Sequence, residues 1–464
     1  MEGETTLKRL PLLIVLISGA FVSILNQTLL ATALPHIMQD LHLTENTVQW
    51  LQSVFLLVNG IMIPVSAFLI ERFTTRQLFL TAIGSFTVGT LICAIATQFP
   101  ALLLGRTIQG VGAGILMPLL QTILFLMYPP EQRGRAMGMF GFVIAFAPAI
   151  GPTLSGWLIG HFPWRSVFFV VLPIAALDFL LALFILKNIT KQTFPKVDII
   201  SIVLSTLGFG GLLYGFSIAG SDGWLSLPVL LSLIVGAITV TFFIRRQFQL
   251  EQPILEFRVF RYRTFSIATV LGMIVFVSMI GSAIVLPFFM QNMLGFTPFQ
   301  SGLVLLPGAL MLGVMNPIVG RLFDRFGAKW LGLIGFAVLA VTTFMFTSLS
   351  TETTFRFLAT VHVFRMLGMA LVMTPVTTAG LNELPPSLIA HGTAMNNTMR
   401  QVAGAIGTAL LVTVMTTSAI PSEGLAGMVR GVNMSFALLT TVVFIGLLLM
   451  AMLIREREKE KSNP

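Results

Sequence analysis

The stretch LLLGRTIQGVGAGILMPLLQTILFLMYPPEQRGRAMGMFGFVIAFAPAIGPTLSG, residues 102–156, holds two apolar runs joined by a short polar turn, PPEQRGR (129–135). A membrane-spanning helix needs about 20 mostly apolar residues, and each run is long enough. Arg106 stands inside the first run, and Gly151-Pro152 promises a helix break in the outer half of the second. An arginine within a span costs several kcal/mol unless it faces a bundle interior or a wet cavity. A helix break at membrane depth is tolerated only where the protein satisfies the freed backbone groups. The stretch therefore predicts a polytopic membrane protein with a polar interior.

The totals agree. Of 464 residues, 56% are hydrophobic and 10% charged, where soluble domains carry about 25% charged residues. The mean hydropathy is +0.93. Apolar runs of helical-span length recur along the chain, whereas a membrane barrel would show alternating segments of about 10 residues. The single cysteine, Cys93, excludes an internal disulfide and a cysteine metal site, and it reads as a packed apolar residue. The N-terminal Lys8-Arg9 and apolar run imitate a signal peptide, but the run is too long for one and many spans follow.

The spacing predicts fourteen helices, at about 11–33, 47–70, 77–97, 101–125, 136–159, 165–187, 199–219, 225–245, 264–290, 299–321, 328–349, 356–380, 393–417 and 431–454. An even number puts both termini on one side. The termini and even-numbered connections hold 21 of the 27 Lys and Arg residues; the odd-numbered connections hold three, Arg165, Arg356 and Arg430. Arg106, Arg365 and Arg400 lie within spans, Arg400 close enough to a helix end to snorkel. By the positive-inside rule both termini are cytoplasmic. The net charge of +9 thus marks orientation, with anionic lipid a secondary contact, and no nucleic-acid partner is expected.

The chain also repeats itself. Arg106 with GILMP (114–118) returns as Arg365 with LVMTP (371–375), Pro129-Pro130 as Pro385-Pro386, RAM (135–137) as TAM (393–395), AIG (149–151) as AIG (405–407), and FLIERF (68–73) as RLFDRF (321–326). Six helices thus recur after about 255 residues in the same membrane orientation, a parallel repeat of the transporter kind. Residues 1–192 form the first six-helix bundle, 193–250 an inserted pair (helices 7 and 8), and 251–464 the second bundle. The expected fold is all-α, in a 6+2+6 arrangement.

These residues resemble the major facilitator superfamily, and within it the fourteen-helix drug:proton antiporters of the EmrB/QacA type, closest to Gram-positive exporters of lincomycin and fluoroquinolones. LNQTLLATALP (25–35) resembles the first-helix motif. GRLFDRFGAK (320–329) resembles the loop motif, and ERFTTR (71–76) its degenerate copy. GRTIQGVGAG (105–114) resembles the fourth-helix motif, and GPTLSG (151–156) the fifth-helix antiporter motif. FRVFRYRTF (257–265), LGFTPFQSGL (294–303) and NNTMRQVAGAIGTA (396–409) resemble subgroup signatures. The resemblance implies proton-driven export of amphipathic small-molecule drugs by alternating access, from a monomer in a bacterial cell membrane. No cofactor or enzymatic step is expected, and no ATP-binding GxxxxGK(S/T), HExxH or Cys/His cluster occurs.

Candidate roles follow. Asp178 is the one carboxylate well inside a span, and a desolvated Asp can load and release a proton near neutral pH; its plainer alternative is a helix–helix hydrogen bond. Arg106, by resemblance, lines the cavity and links proton state to conformation. Arg365 is its repeat partner, with His362 one turn earlier as a possible relay. Asn26 and Gln27 stand where relatives carry an acid and cannot titrate, so they join Trp50 and Gln109 as substrate contacts; glue between helices, or an interface anchor for Trp50, is the alternative. Gly151, Pro152 and Gly156, with Gly141, are expected to bend or slide where the halves meet. Glu71, Arg72, Arg76, Asp324 and Arg325 are expected to form breakable ion pairs that latch one face closed. Two rival readings are an exporter of one lipid or metabolite and a non-transporting sensor or scaffold.

Overall fold

A computed structural model describes residues 2–190 and 192–462, of which the side chains of 2–10, 45, 46, 152, 221, 421 and 453–462 lie outside the described set. Fourteen helices are long and apolar enough to span a membrane, and the described residues contain no strand. They are α1 Glu2–Asp40, α2 Glu45–Arg72, α3 Thr75–Ile95, α4 Phe99–Met127, α5 Arg133–His161, α6 Ser166–Ile185, α7 Ile199–Asp222, α8 Leu227–Gln249, α9 Arg263–Asn292, α10 Pro298–Phe326, α11 Ala328–Met345, α12 Phe355–Asn382, α13 Ile389–Ser418 and α14 Gly424–Ser462.

Local chemistry sets the helix ends. Thr44, Thr74, Thr297 and Thr354 accept hydrogen bonds from the first-turn amides of α2, α3, α10 and α12. Thr74/Gln77 and Thr297/Gln300 close reciprocal capping boxes. Gly327 ends α10 at φ +74°, a left-handed turn that glycine adopts without strain. One expectation fails here: Gly151-Pro152 does not break α5, which stays helical through both residues. A proline deletes one backbone donor, and the flanking turns hold the helix together around that loss.

Helices α1–α6 pack on one another, chiefly as α3 on α4, α2 on α4 and α1 on α5; α9–α14 do the same, chiefly as α10 on α12 and α11 on α12. Small residues allow close approach, the packing device of membrane helices. A methyl on Gly368 of α12 would stand 2.9 Å from the Gly335 carbonyl of α11. The two sets meet mainly through α5 and α10 on one flank and through α2, α4 and α13 elsewhere.

The inserted helices close the flank opposite α5 and α10. α7 touches both α2 and α13, with Leu213 over Gly60, Gly220 against Val412, and Trp224 Nε1 donating to Thr413 Oγ1 at 2.7 Å. Asp198 caps α7 and receives both Nε and Nη2 of Arg246 from α8, at 2.8 and 3.0 Å. The hydrogen-bonded Arg246 guanidinium holds the Asp198 carboxyl down at about 2.

Candidate functional site

Two arginines lie wholly inside their helix sets. Arg106 on α4 has no exposed surface. Its Nε donates to the Leu51 carbonyl of α2 at 2.9 Å, and its Nη1 to Gln109 Oε1 at 2.7 Å. Gln109 passes the network on to Thr90 Oγ1 of α3, at 2.7 Å, and the guanidinium lies 4.2 Å over the Phe55 ring. Arg365 on α12 repeats the theme: Nη2 reaches the Ser278 carbonyl of α9 at 2.8 Å, and Nε the Thr343 hydroxyl of α11 at 3.3 Å. No carboxylate pairs with either among the described residues. Each keeps one nitrogen without a partner, Nη2 of Arg106 and Nη1 of Arg365.

These positions correct two expectations. Arg106 and Gln109 do not line an open cavity; both are enclosed between α2, α3 and α4. Arg400 does not snorkel either. It is buried on α13, donates to Thr377 Oγ1 of α12 at 2.6 Å, and lies beside Gly272 of α9. A guanidinium that finds a hydroxyl and close backbone within the bundle has no need of the interface. His362 is buried against Gly308 of α10, with Nδ1 unpartnered.

Asp178 on α6 is 2% exposed and faces α1. Its Oδ1 accepts the Ser18 hydroxyl, and its Oδ2 has no partner. Gly19 makes room for it: a methyl there would stand 3.0 Å from Oδ2. Further along α1, the Asn26 amide is fully buried and neither of its polar atoms is hydrogen-bonded. Gln27 is half-buried. Trp50 is 39% exposed and stacks on Tyr214 of α7, ring centres 5.8 Å apart.

The two helix sets are joined at the face that carries both chain ends. There Asp324, at the end of α10, accepts from the Gly134 and Arg135 amides at 2.8 and 2.9 Å, capping the N-terminus of α5 across the seam. Arg133 Nη1 donates to Asn382 Oδ1 at 2.8 Å. The Thr122 and Thr393 hydroxyls meet at 2.8 Å, and Asn397 Nδ2 donates to Gln121 Oε1 at 2.7 Å. Glu71 Oε1 lies 3.0 Å from His391 Nε2, while His391 Nδ1 accepts the Glu256 amide at 3.2 Å. An acceptor at Nδ1 leaves Nε2 as the protonated nitrogen of a neutral ring.

The expected acid–arginine latches are thus corrected. Asp324 holds backbone amides, and Glu71 holds a histidine. Arg72 donates to the Pro195 carbonyl at 2.7 Å, Arg76 to the Leu183 carbonyl at 2.6 Å, and Arg325 lies over its neighbour Phe326. A helix N-terminus presents several free amides to a carboxylate, and this competes well with a mobile arginine at a wet surface.

The α5 glycines divide by depth. Gly138 and Gly141 pack on Asn316 of α10: a methyl on Gly138 would come 2.5 Å from the Asn316 carbonyl oxygen. Asn316 accepts from Thr374 at 2.8 Å and donates to the Leu312 carbonyl at 2.9 Å. Gly151 instead packs on Thr28 of α1, inside the first set, and Ser155 donates to the Leu29 carbonyl at 2.8 Å. A methyl on Gly156 or Gly160 of α5, or on Gly302 of α10, would meet no atom within 4 Å. The polar contacts described above join the two sets at the terminal face.

Comparison with known proteins accords with this geometry. Residues 16–408 match the model of the Major Facilitator Superfamily. The chain is 50% identical to YcnB, an MFS-type transporter of Bacillus subtilis, over 97% of this chain and 96% of that protein. It is 40% identical to the lincomycin resistance protein LmrB of the same organism, over 95% of each. The chain belongs to the major facilitator superfamily. Among solved structures, the human organic anion transporter MFSD10 aligns with a TM-score of 0.71 at 15% identity, covering 96% of this chain and 99% of that one. That likeness concerns the superfamily fold alone. As a member of the superfamily, the chain is a multi-pass membrane transporter.

Sequence reasoning missed Ser18, His391, Gly134, Gly138 and Asn316. Only the loop motif GRLFDRFGAK pointed toward the α5–α10 seam, and it named Asp324 without the amides that Asp324 caps.

Proposed function

We propose that this superfamily member exports amphipathic drugs in exchange for protons, in a bacterial cell membrane with both termini cytoplasmic. The first and second bundles, 1–192 and 251–464, rock about their seam while 193–250 stays against α2 and α13. LmrB, named for lincomycin resistance, supports the drug class. The lysine and arginine skew supports the orientation, and with it the joined face becomes the cytoplasmic gate. The observation that carries the proton coupling is Asp178: a carboxylate enclosed by apolar helices, held by one hydroxyl, with its second oxygen unsatisfied. A group so placed gains by taking a proton when its surroundings dry and by losing it when they wet.

Mechanistically, proton arrival at Asp178 neutralises the α1–α6 contact. Arg106, held by the Leu51 carbonyl and the Gln109 amide oxygen, and Arg365, held by the Ser278 carbonyl and by hydroxyls, tie the helices within each bundle so that motion is confined to the seam. Glu71–His391 and the Asp324 cap of α5 hold the cytoplasmic face closed until the proton arrives, after which that face opens to substrate. Asp178→Asn should abolish efflux driven by a pH gradient while leaving drug binding largely intact, measured in proteoliposomes and by equilibrium binding at pH 6 to 8. Undiminished efflux moves the proton site elsewhere. An inhibition panel against dye efflux separates this reading from a single-metabolite exporter, for which most amphipathic compounds fail to compete.

A further inference from the structure

Besides Arg365, the second bundle holds another buried arginine, one that neither the seam nor the proton step uses. Arg400, near the middle of α13, is 6% exposed; its Nη2 donates to Thr377 Oγ1 of α12, and its Nε has no partner. One turn earlier on the same helix, Asn396 is 3% exposed, and its Nδ2 likewise has no partner. Residues four apart on a helix are neighbours, so the two lie side by side. Both face Gly272 of α9: a methyl there would stand 3.3 Å from Arg400 Nε, 3.4 Å from Nη2 and 3.7 Å from Asn396 Oδ1. Nε and Nη2 form one edge of the guanidinium, two N–H groups spaced for the two oxygens of a carboxylate. Nη2 keeps a second hydrogen after Thr377 is served. Gly272 thus leaves a gap against the edge of Arg400 that is made for an anion.

Among the described residues no acid pairs with Arg400. The helices α9, α12 and α13 contain no Asp or Glu, and α11 has none either. The one acid of α10, Asp324, caps α5 at the terminal face. Of the first bundle and the inserted pair, α2, α4 and α7 touch α13. Glu71 of α2 is bound to His391, α4 has no acid, and Asp222 stands at the end of α7. A guanidinium removed from water without a counter-ion costs several kcal/mol, and a ligand that brings a negative charge and acceptor oxygens recovers part of that cost. Asn397, next to Asn396, reaches Gln121 across the seam. The Arg400 gap therefore lies within about one turn of the surface on which the bundles meet.

We propose that Arg400 and Asn396, facing the gap at Gly272, form an anion subsite for the carboxylate of amphipathic organic acids. The inference rests on the reading of the chain as an exporter of amphipathic compounds and adds acids to its cargo. The carboxylate takes the Nε–Nη2 edge of Arg400, Asn396 Nδ2 supplies a further donor, and Thr377 fixes the plane of the guanidinium. A cation is repelled here, and a neutral analogue forgoes the charge-assisted bonds.

The test is equilibrium binding of naphthoate to the purified full-length protein at neutral pH, with naphthamide as the uncharged compound of the same shape. Wild type should bind naphthoate at least about tenfold more tightly than naphthamide, the effect of one hydrogen bond to a charged group. Arg400→Met should erase this preference and leave naphthamide affinity in place, with the melting temperature kept or raised because an unpaired buried charge is gone. Asn396→Asp gives the guanidinium a carboxylate of its own from the same helix face and should bring naphthoate down to the level of naphthamide. Where Arg400→Met does not fold, Asn396→Asp decides. A wild type without the preference, or a preference that survives either substitution in folded protein, overturns the subsite and leaves Arg400 a tie between α12 and α13. Binding is read without a proton gradient, so its failure strikes this subsite alone. A wild type that binds naphthoate yet moves no compound in proteoliposomes strikes the export reading alone.

Discussion

At the scale of single residues, Arg106 and Arg365 are better explained by function than by stability. Each is removed from water, yet meets only neutral acceptors and, for Arg106, the face of Phe55. Desolvating a charge costs several kcal/mol, and hydrogen bonds of about 1.5–3 kcal/mol each return only part of it. Arg106→Met should therefore leave the melting temperature unchanged or raised while transport falls by at least about tenfold, as expected where a site is maintained at the expense of stability. Thermal melting and dye efflux on the same variant check this; a large loss of stability with transport intact would make Arg106 purely structural. Both arginines were legible in the sequence because a charge within an apolar run stands out. Ser18 was not, since one hydroxyl in a span is ordinary until the helix opposite is known to place Asp178 beside it. The surroundings of Trp50 and Gln109 were hidden for the same reason: composition says that a polar or aromatic side chain is present, and only rotation about the helix axis says what it meets.

Helices and their junctions come next. The Asp324 carboxylate caps α5 across the seam, and a charge at a helix N-terminus contributes about 0.3–1 kcal/mol. Asp324→Asn should shift the balance toward an open cytoplasmic face by about two- to fivefold, read as faster hydrogen exchange at the start of α5. No change there would reduce the contact to an ordinary helix end. On the inserted pair, Asp198 carries a depressed pKa, about 2 against a usual 3.8. Its ion pair with Arg246 therefore adds stability above the unfolded-state value that is lost as pH falls through the folded one. The melting temperature of wild type should exceed that of Asp198→Asn by a constant margin from pH 7 to 5, and the margin should shrink as pH drops from about 4 to 2. A margin independent of pH would mean that the carboxylate acts only as a cap for α7. Helix number and approximate position were readable from the apolar runs. Continuity of α5 through Gly151-Pro152 was not, because proline's lost donor is a local cost that surrounding packing outweighs.

For the whole molecule, repeat arithmetic predicts the 6+2+6 arrangement and the basic-residue skew predicts the orientation, since both are read from the chain in one dimension. The seam was hidden. Gly134, Gly138 and Asn316 look like any small or polar residues, and their pairing depends on which faces of α5 and α10 turn toward each other. Alternating access requires this seam to part at the cytoplasmic face, and Gln121–Asn397 is a direct hydrogen bond across it. The decisive measurement is efflux from a Cys93→Ser protein carrying Gln121→Cys and Asn397→Cys, before and after a short bifunctional thiol cross-linker that reducing agent can cleave. Transport should stop on cross-linking and return on reduction. Full-rate efflux from the cross-linked protein would contradict a gate at this face, and with it the rocking of the two bundles.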